Sequence, residues 1–157
     1  MLLVETFVGP SKIEGVGVFV MAPVLKGAKI WTLDAVFDRK IPEANLAELS
    51  REMQNFVERY SYRNPEFPGQ LILETDNGRF MNHSTSPNVC FSDQYSGFAA
   101  RDIEAGGELT CDYNELEPGF KLLPSLMEMT LRKQANGRRV QRVTRHGANG
   151  QILLAKG

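Results

Sequence analysis

Residues 79–88 read RFMNHSTSPN and residues 107–113 read GELTCDY, and together these two stretches carry more structural information than the rest of the chain. Each stretch alone has an ordinary structural explanation. Asn and Ser side chains in a Pro-containing loop commonly bond to their own backbone in turns, and a Tyr that ends a strand is commonly half-buried packing. As an ordered pair, an Asn-His dipeptide followed by an Asp-Tyr dipeptide favours a shared site.

A third stretch lies upstream, where residues 11–19 read SKIEGVGVF and residues 23–30 read PVLKGAKI. Glycine permits a close approach between the backbone and a ligand. A Gly-x-Gly turn is a weak signal by itself, because many hairpins contain one. The longer Gly-x-Gly-x-x-Gly spacing and a following helical pattern are both missing, which argues against a dinucleotide-binding fold.

In this order the three stretches resemble the SET domain, the fold of protein-lysine methyltransferases that use S-adenosylmethionine. The resemblance covers residues 4–114, with a divergent stretch between residues 35 and 70. It implies a mainly β fold with short helices, several small sheets, a C-terminal pseudoknot and an inserted helix around residues 43–60. We expect one SET-like domain over residues 1–157, with a core at 4–114 and a C-terminal segment at 115–157 that holds a helix and a basic tail.

The resemblance also implies roles for individual residues. Tyr113 is the expected catalytic residue, with its hydroxyl beside the methyl group that is transferred. Tyr113 is also expected to contact the cofactor. The backbone of Asn82 and His83 is expected to meet the adenine, and the Asn82 carboxamide is expected to hold the amino-acid end. A carboxamide both donates and accepts hydrogen bonds, which suits a zwitterion. A third wall of the cofactor site is expected from the backbone of Glu14, Gly15 and Val16.

The chain departs from many SET proteins in its cysteines. Only Cys90 and Cys111 are present, in a spacing that builds neither a disulfide framework nor an all-cysteine zinc site. Many relatives carry a cysteine where this chain has Thr85 and use it, with a Cys-x-Cys tail, to bind a zinc ion that completes the lysine channel. No metal is therefore expected, and Phe120 is the candidate cover for the adenine or the lysine.

Three residues are the candidate substrate-binding set. Cys111 stands where the family commonly has Phe or Tyr, a position that influences how many methyl groups are added. A smaller side chain leaves room, so the expected product is not confined to monomethyl-lysine; a buried thiol without any such effect is the alternative. Tyr62 and Tyr95 lie in polar surroundings and offer aromatic faces to an ammonium group.

The composition, 42% hydrophobic over 157 residues, favours one domain with one core. No apolar run approaches the ~18 residues of a membrane span, and the first residues, MLLVE, lack the pattern of a signal peptide. This predicts an intracellular protein, cytoplasmic or nuclear, that is not secreted.

Charge is distributed unevenly along the chain. Residues 130–157 hold seven of the 18 Lys and Arg residues and none of the 19 acidic residues. The acidic remainder is expected to attract a basic protein substrate with an acceptor lysine. The basic tail is a candidate for weak nucleic-acid contact, which would fall steeply with salt. Ordinary solvated surface explains the acidic part and the basic tail equally well.

Alternating short apolar runs predict a strand-rich chain with two helices. A stripe of apolar residues at spacings of three and four predicts one helix between residues 42 and 60, and a second is expected at 125–134, ended by Gly137. Trp31 is expected in the core. The expected strands lie at residues 2–8, 17–21, 29–36, 71–74, 89–91, 97–101 and 109–112.

Three classes of function remain open at the level of the sequence. The first is a protein-lysine N-methyltransferase that depends on S-adenosylmethionine, yields S-adenosylhomocysteine and acts on basic substrates, histones among them. The second is a catalytically weak relative that binds the cofactor. The third is a chromatin or nucleic-acid adaptor in which the basic tail does the binding. A homodimer that completes the substrate groove is compatible with each.

Overall fold

The computed structural model describes residues 1–123. They form one compact unit, Met1–Leu123, and Pro124–Gly157 is assigned to a second unit. The expected helix at 125–134 and the basic tail lie outside the described residues. The ten strands of the described unit are β1 Thr6–Pro10, β2 Val16–Val20, β3 Lys29–Thr32, β4 Arg39–Pro42, β5 Ser61–Arg63, β6 Gln70–Leu73, β7 Asn82–His83, β8 Val89–Asp93, β9 Ser96–Ala99 and β10 Thr110–Cys111.

These strands form three small sheets. β1 and β2 make an antiparallel hairpin in which the rings of Phe7 and Phe19 stack with centroids 5.3 Å apart. β4, β6 and β5 form an antiparallel sheet of three strands, and the third sheet has the order β3-β9-β8-β10-β7. The helices are short, with α1 at Arg51–Tyr60 and α2 at Tyr113–Leu116. The predicted class, mainly β with several small sheets and few helices, is confirmed.

The core lies between the hairpin and the five-stranded sheet. Its fully buried side chains include Val18 and Val20 from β2, Ile30 from β3 and Leu109 just before β10. Burying apolar surface in this way is the main term that stabilises such a domain. The Trp31 side chain is also fully buried and meets the ring of Phe91 edge to face at 5.2 Å, which confirms its predicted place.

Strand β10 brings the two motif stretches together. It pairs in parallel with β7, so that Thr110 lies opposite Asn82 and Cys111 opposite His83. On its other side Cys111 pairs with Val89 of β8. Parallel neighbours need a long crossover connection, and here residues 84–109 supply it. The threading of a pseudoknot remains a prediction.

The loop between β7 and β8 combines local and long-range bonds. Within the loop, Ser84 Oγ accepts a hydrogen bond from the backbone N–H of Ser86 at 3.1 Å, which is the local pattern of a turn. The Asn88 carboxamide instead reaches the second motif stretch. Its Nδ2 donates to the Glu108 carbonyl at 2.8 Å, and its Oδ1 accepts from the Thr110 N–H at 2.8 Å. Asn88 therefore fixes the start of β10.

The insert differs from the single helix expected between residues 42 and 60. A 3₁₀ helix spans Glu43–Glu48, and α1 begins only after Ser50, whose side chain accepts from the Met53 N–H. A Ser at this position satisfies an otherwise unpaired helix N–H and so starts a new helix. The flanking strands β4 and β5 are not in the predicted set, because β4 reads RKIP and β5 reads SYR, without an apolar run.

Candidate active site

Tyr113 is the first residue of α2, directly after Asp112, whose side chain caps this short helix by accepting from the Asn114 N–H. The Tyr113 hydroxyl donates a hydrogen bond to the Met81 carbonyl at 2.7 Å. Its backbone N–H donates to His83 Nδ1 at 3.3 Å. Burial is the main cause that raises the pKa of the Tyr113 phenol well above its ordinary value, so the phenol is protonated at neutral pH.

Aromatic rings enclose Tyr113 on two sides. The His83 ring lies with its centroid 5.3 Å away at a tilt of 51°, and the Phe120 ring meets Tyr113 edge to face at 4.9 Å. Edge-to-face contact is a favourable geometry for aromatic pairs. Tyr113, His83 and Phe120, predicted from separate parts of the chain, thus lie side by side.

The Asn82 carboxamide links the β7 strand to the glycine turn before β2. Its Nδ2 donates to the Val16 carbonyl at 3.0 Å and to Glu108 Oε1 at 2.9 Å, with a longer contact to the Glu14 carbonyl at 3.4 Å. Gly15, between the two carbonyls, has a φ of +46°, which is the left-handed region that glycine adopts freely. All the predicted cofactor-binding residues therefore belong to one connected cluster.

The predicted substrate-binding residues do not all lie together. Burial raises the pKa of the Cys111 thiol well above its ordinary value, so the thiol is neutral. Burial is also the main cause that raises the pKa of the Tyr62 phenol well above its ordinary value, and the nearby carboxyl groups of Glu74 and Asp38 raise it further. The Tyr62 hydroxyl is buried and has no hydrogen-bond partner among the described residues.

Tyr95 lies elsewhere, in the turn of the β8–β9 hairpin. Its ring meets Phe67 edge to face at 6.3 Å, and its hydroxyl is 3.4 Å from Glu66 Oε2. These contacts explain its polar surroundings without any acceptor channel. Its substrate role remains a prediction that no contact with Tyr113 supports.

Glu74 is a notable residue that the sequence analysis does not single out. It directly follows β6, and its side chain is buried, with Oε2 unpaired within the described part of the chain. Burial raises its pKa to about 7, outweighing the opposite effect of the amino group of Met1, and the acidic neighbours Asp76 and Asp38 raise it further. The only sequence signal is an acid that ends the apolar run of β6.

A cavity of about 530 Å³ lies between the insert and the segment that follows α2. Phe120 lines it, as do the acidic Glu58 and Glu117. Glu117 ties the segment to β5, because its carboxylate accepts from the Arg63 N–H at 2.9 Å and pairs with the Arg63 guanidinium at 3.3 Å. The same guanidinium pairs with Glu43 at 2.7 Å. The cavity therefore adjoins Tyr113 through Phe120.

The described residues contain neither a cluster of metal-binding side chains nor a membrane-spanning helix. Within residues 1–123 there is no group of three or more His, Cys, Asp or Glu side chains that could hold a metal ion. In the same part of the chain no helix has the length and apolar character needed to cross a membrane.

The chain is similar to parts of known structures. The chain is similar in fold to one chain of an apo ctPRC2 structure that carries substitutions in Ezh2, with 20% identity and a TM-score of 0.55 over 73% of this chain. The match spans only 16% of that chain, and at this identity it shows the fold alone. A Plasmodium falciparum protein provisionally described as a histone methyltransferase gives 20% identity and a TM-score of 0.49, over 71% of this chain and 95% of its own.

The sequence has no significant match among curated proteins. The model of the SET domain family, however, matches residues 15–114 and so includes Gly15, the Asn82–His83 pair and Tyr113. This match covers more than half of the 157 residues. The chain therefore belongs to the SET domain family, a family of methyltransferases.

Proposed function

We propose that this protein is a protein-lysine N-methyltransferase that uses S-adenosylmethionine. The observation that carries the proposal is the position of the Tyr113 hydroxyl. It is held by the Met81 carbonyl, directly before the Asn82–His83 strand, and the Tyr113 ring contacts Phe120. The phenol is thus held between the residue before β7 and the segment after α2, as a site that orients two reactants requires.

The cofactor, when bound, supplies a sulfonium methyl group that an amine can attack in line. The residues present fit its amino-acid end. The neighbours of Asn82 Nδ2 are all acceptors, two carbonyls and a carboxylate, which leaves Oδ1 as an acceptor for an α-ammonium group. The rings of His83, Tyr113 and Phe120 offer apolar faces for the adenine and the methyl-bearing end.

The acceptor lysine must be neutral to attack, although its ordinary pKa is about 10.4. Transfer into a buried channel lowers that pKa, so the proton passes to water before the amine reacts. Cys111, Tyr62 and Tyr113 all have raised pKa values and are uncharged at neutral pH. The unpaired Tyr62 hydroxyl is suited to accept a hydrogen bond from the amine. These groups position the amine, and none of them is ionised to act as a base.

The substrate class follows from charge. Before residue 130 acidic residues outnumber basic ones by nineteen to eleven, which favours a basic protein segment at the site. Histones are strongly basic proteins and are therefore the first substrates to test. An intracellular location belongs to the same proposal. Nucleic-acid contact through the tail and a homodimer remain predictions from the sequence.

The test is transfer of labelled methyl groups from S-adenosylmethionine to histones and other basic proteins. We expect label on lysine for the wild-type chain and about a hundredth of it or less for Tyr113→Phe. Binding of S-adenosylhomocysteine is measured by calorimetry on the same samples. If the wild type binds this product but labels nothing across a broad panel of basic proteins, the catalytically weak, cofactor-binding alternative replaces the proposal.

A further inference from the structure

Glu108 joins all three parts of the proposed cofactor site. A single oxygen, Oε1, accepts hydrogen bonds from Asn82 Nδ2 at 2.9 Å and from Ser11 Oγ at 2.8 Å. The Glu108 backbone forms an isolated bridge with Phe19 of β2. One side chain from the second motif stretch therefore holds both the glycine turn and the β7 strand.

The space for this carboxylate depends on a glycine. A Cβ atom built at Gly17 would overlap Glu108 Oε1. The overlapping atom is the end of a flexible side chain, so any larger residue at position 17 would displace the carboxylate and leave the backbone in place. Gly17 thus has a specific reason to lack a side chain, and that reason is the position of Glu108.

The carboxylate determines how the Asn82 carboxamide is oriented. A hydrogen bond to an ionised acceptor is about twice as strong as one between neutral groups, so the bond to Glu108 dominates over those to the two carbonyls. Rotating the carboxamide by half a turn would place Oδ1 against the carboxylate, where two acceptors repel. In the observed orientation Oδ1 receives no hydrogen bond from any described residue.

We propose that Glu108 is a positioning residue, which acts through Asn82 to keep Oδ1 available for the α-ammonium group of the cofactor. This inference rests on the proposed function, because that function supplies the ligand. Glu108 itself needs no contact with the ligand in this role. Its effect is specific to ligands that carry the amino-acid end.

Two probes separate positioning from a general effect on the fold. S-adenosylhomocysteine carries the amino-acid end, and 5′-methylthioadenosine lacks it. For Glu108→Ala we expect binding of S-adenosylhomocysteine to weaken about tenfold, as loss of one ordering bond to a charged group implies, and binding of 5′-methylthioadenosine to stay within about twofold. Glu108→Gln keeps an acceptor oxygen and is expected to retain most of the affinity. Glu104→Ala, an exposed acid nearby, is the matched control.

A double-mutant cycle tests whether Glu108 acts through Asn82. Asn82→Ala alone and Asn82→Ala combined with Glu108→Ala are expected to bind S-adenosylhomocysteine equally weakly. Gly17→Ala is a second route to the same result, since it displaces the carboxylate without removing it. It is expected to discriminate between the two probes in the same way as Glu108→Ala, with thermal melting used to confirm folded protein.

Each alternative outcome has a definite meaning. Additive losses in the cycle, or equal losses for both probes, would show that Glu108 only supports the fold and would overturn the inference. If Glu108→Ala bound S-adenosylhomocysteine as tightly as the wild type, the inference would also be overturned. Methyl transfer by the wild-type chain would in that case still support the proposed function. If the wild-type chain bound no S-adenosylhomocysteine at all, the proposed function would fail first and the inference with it.

Discussion

The centre around Asn82 and Tyr113 and the insert at residues 35–70 are held together by different interactions. In the centre, the Asn82 side chain is only 9% exposed, and polar groups from three segments bond to one another. In the insert, Phe56 is 47% exposed and the Arg63 side chain, which makes its ion pairs, is 61% exposed. Leaving a buried polar group unpaired costs about 1–3 kcal/mol, whereas an exposed ion pair contributes about 0–1 kcal/mol.

This difference indicates different roles for the two regions: catalysis in the centre and choice of substrate in the insert. We expect the centre to tolerate few substitutions, because Asn82, Glu108 and Tyr113 bond to groups that a change would leave unsatisfied. The insert tolerates many, and it lines one side of the cavity next to Phe120. We therefore expect changes in the centre to affect turnover, and changes in the insert to affect which substrate segment binds.

The largest expected effect is in the centre. Tyr113→Phe removes the hydroxyl that bonds the Met81 carbonyl, and methyl transfer is expected to fall by about two to three orders of magnitude, as loss of a positioned polar group implies. The fold is expected to lose only about 1 kcal/mol. Transfer assays and denaturant unfolding measure the two quantities separately. Near-wild-type turnover in this variant would contradict the role given to Tyr113.

Glu74 lies where the two regions meet and gives the next largest effect. Its pKa is raised to about 7 in the folded state and is about 4.3 when unfolded, so the folded state binds the proton more tightly. The stability gained from this tighter proton binding is complete below the unfolded pKa of about 4.3. It is lost as the pH rises through the folded pKa of about 7. Between these limits the free energy of unfolding should fall by roughly 1 kcal/mol per pH unit.

Urea unfolding at pH 5, 6, 7 and 8 measures this slope. Glu74→Gln cannot ionise and is expected to flatten the profile over this range, while Glu104→Gln, at an exposed position, is expected to leave the slope unchanged. A wild-type profile without any fall between pH 5 and 7 would show that Glu74 titrates normally.

Cys111 tests whether the centre also sets the number of methyl groups added. Cys111→Phe places a large ring beside Val89 and His83, which is expected to cost about 1–3 kcal/mol through overpacking and to shift products toward monomethyl-lysine. Cys111→Ala keeps the space and is the control. Mass spectrometry of the products decides, and a wild-type enzyme that adds only one methyl group would refute the expectation.

The smallest effect is expected in the insert. Glu117→Gln weakens the pairing with Arg63 and should lower the free energy of unfolding by less than about 1 kcal/mol, because that guanidinium is largely exposed. The residual effect should shrink further at high salt. Thermal melts at low and high ionic strength measure it. A loss of several kcal/mol would show that the insert is as tightly coupled as the centre.

Some of this organisation could be predicted from the sequence. The two motif stretches indicate where Asn82, His83 and Tyr113 belong. Phe120, predicted to cover the adenine or the lysine, lies beside Tyr113, and its role as a cover stays a prediction. β4 and β5 could not be predicted, because neither has an apolar pattern and each is a strand through its pairing with β6. The break between the 3₁₀ helix and α1 depends on the cap at Ser50. The apolar residues repeat across this break, so their spacing gives no sign of it.

Other features depend on partners far away in the sequence. Glu108 stands inside a quoted motif, yet its bond to Ser11 spans 97 positions and only the folded chain reveals it. Glu74 looks like an ordinary end of a strand until its burial is known. Tyr95 has the polar flanks of a candidate site residue, but those flanks reflect the hairpin turn that it occupies.

The link between Ser11 and Glu108 has a consequence for how the protein is made. A chain emerging from the ribosome can close the β1–β2 hairpin early, since its partners are near neighbours. The carboxylate that orients Asn82 arrives only after residue 108 has been synthesised. Contacts this distant form slowly and late in folding. Nascent chains can therefore form the hairpin contacts well before they gain a pocket able to hold a ligand, and a ligand would stabilise only the completed fold.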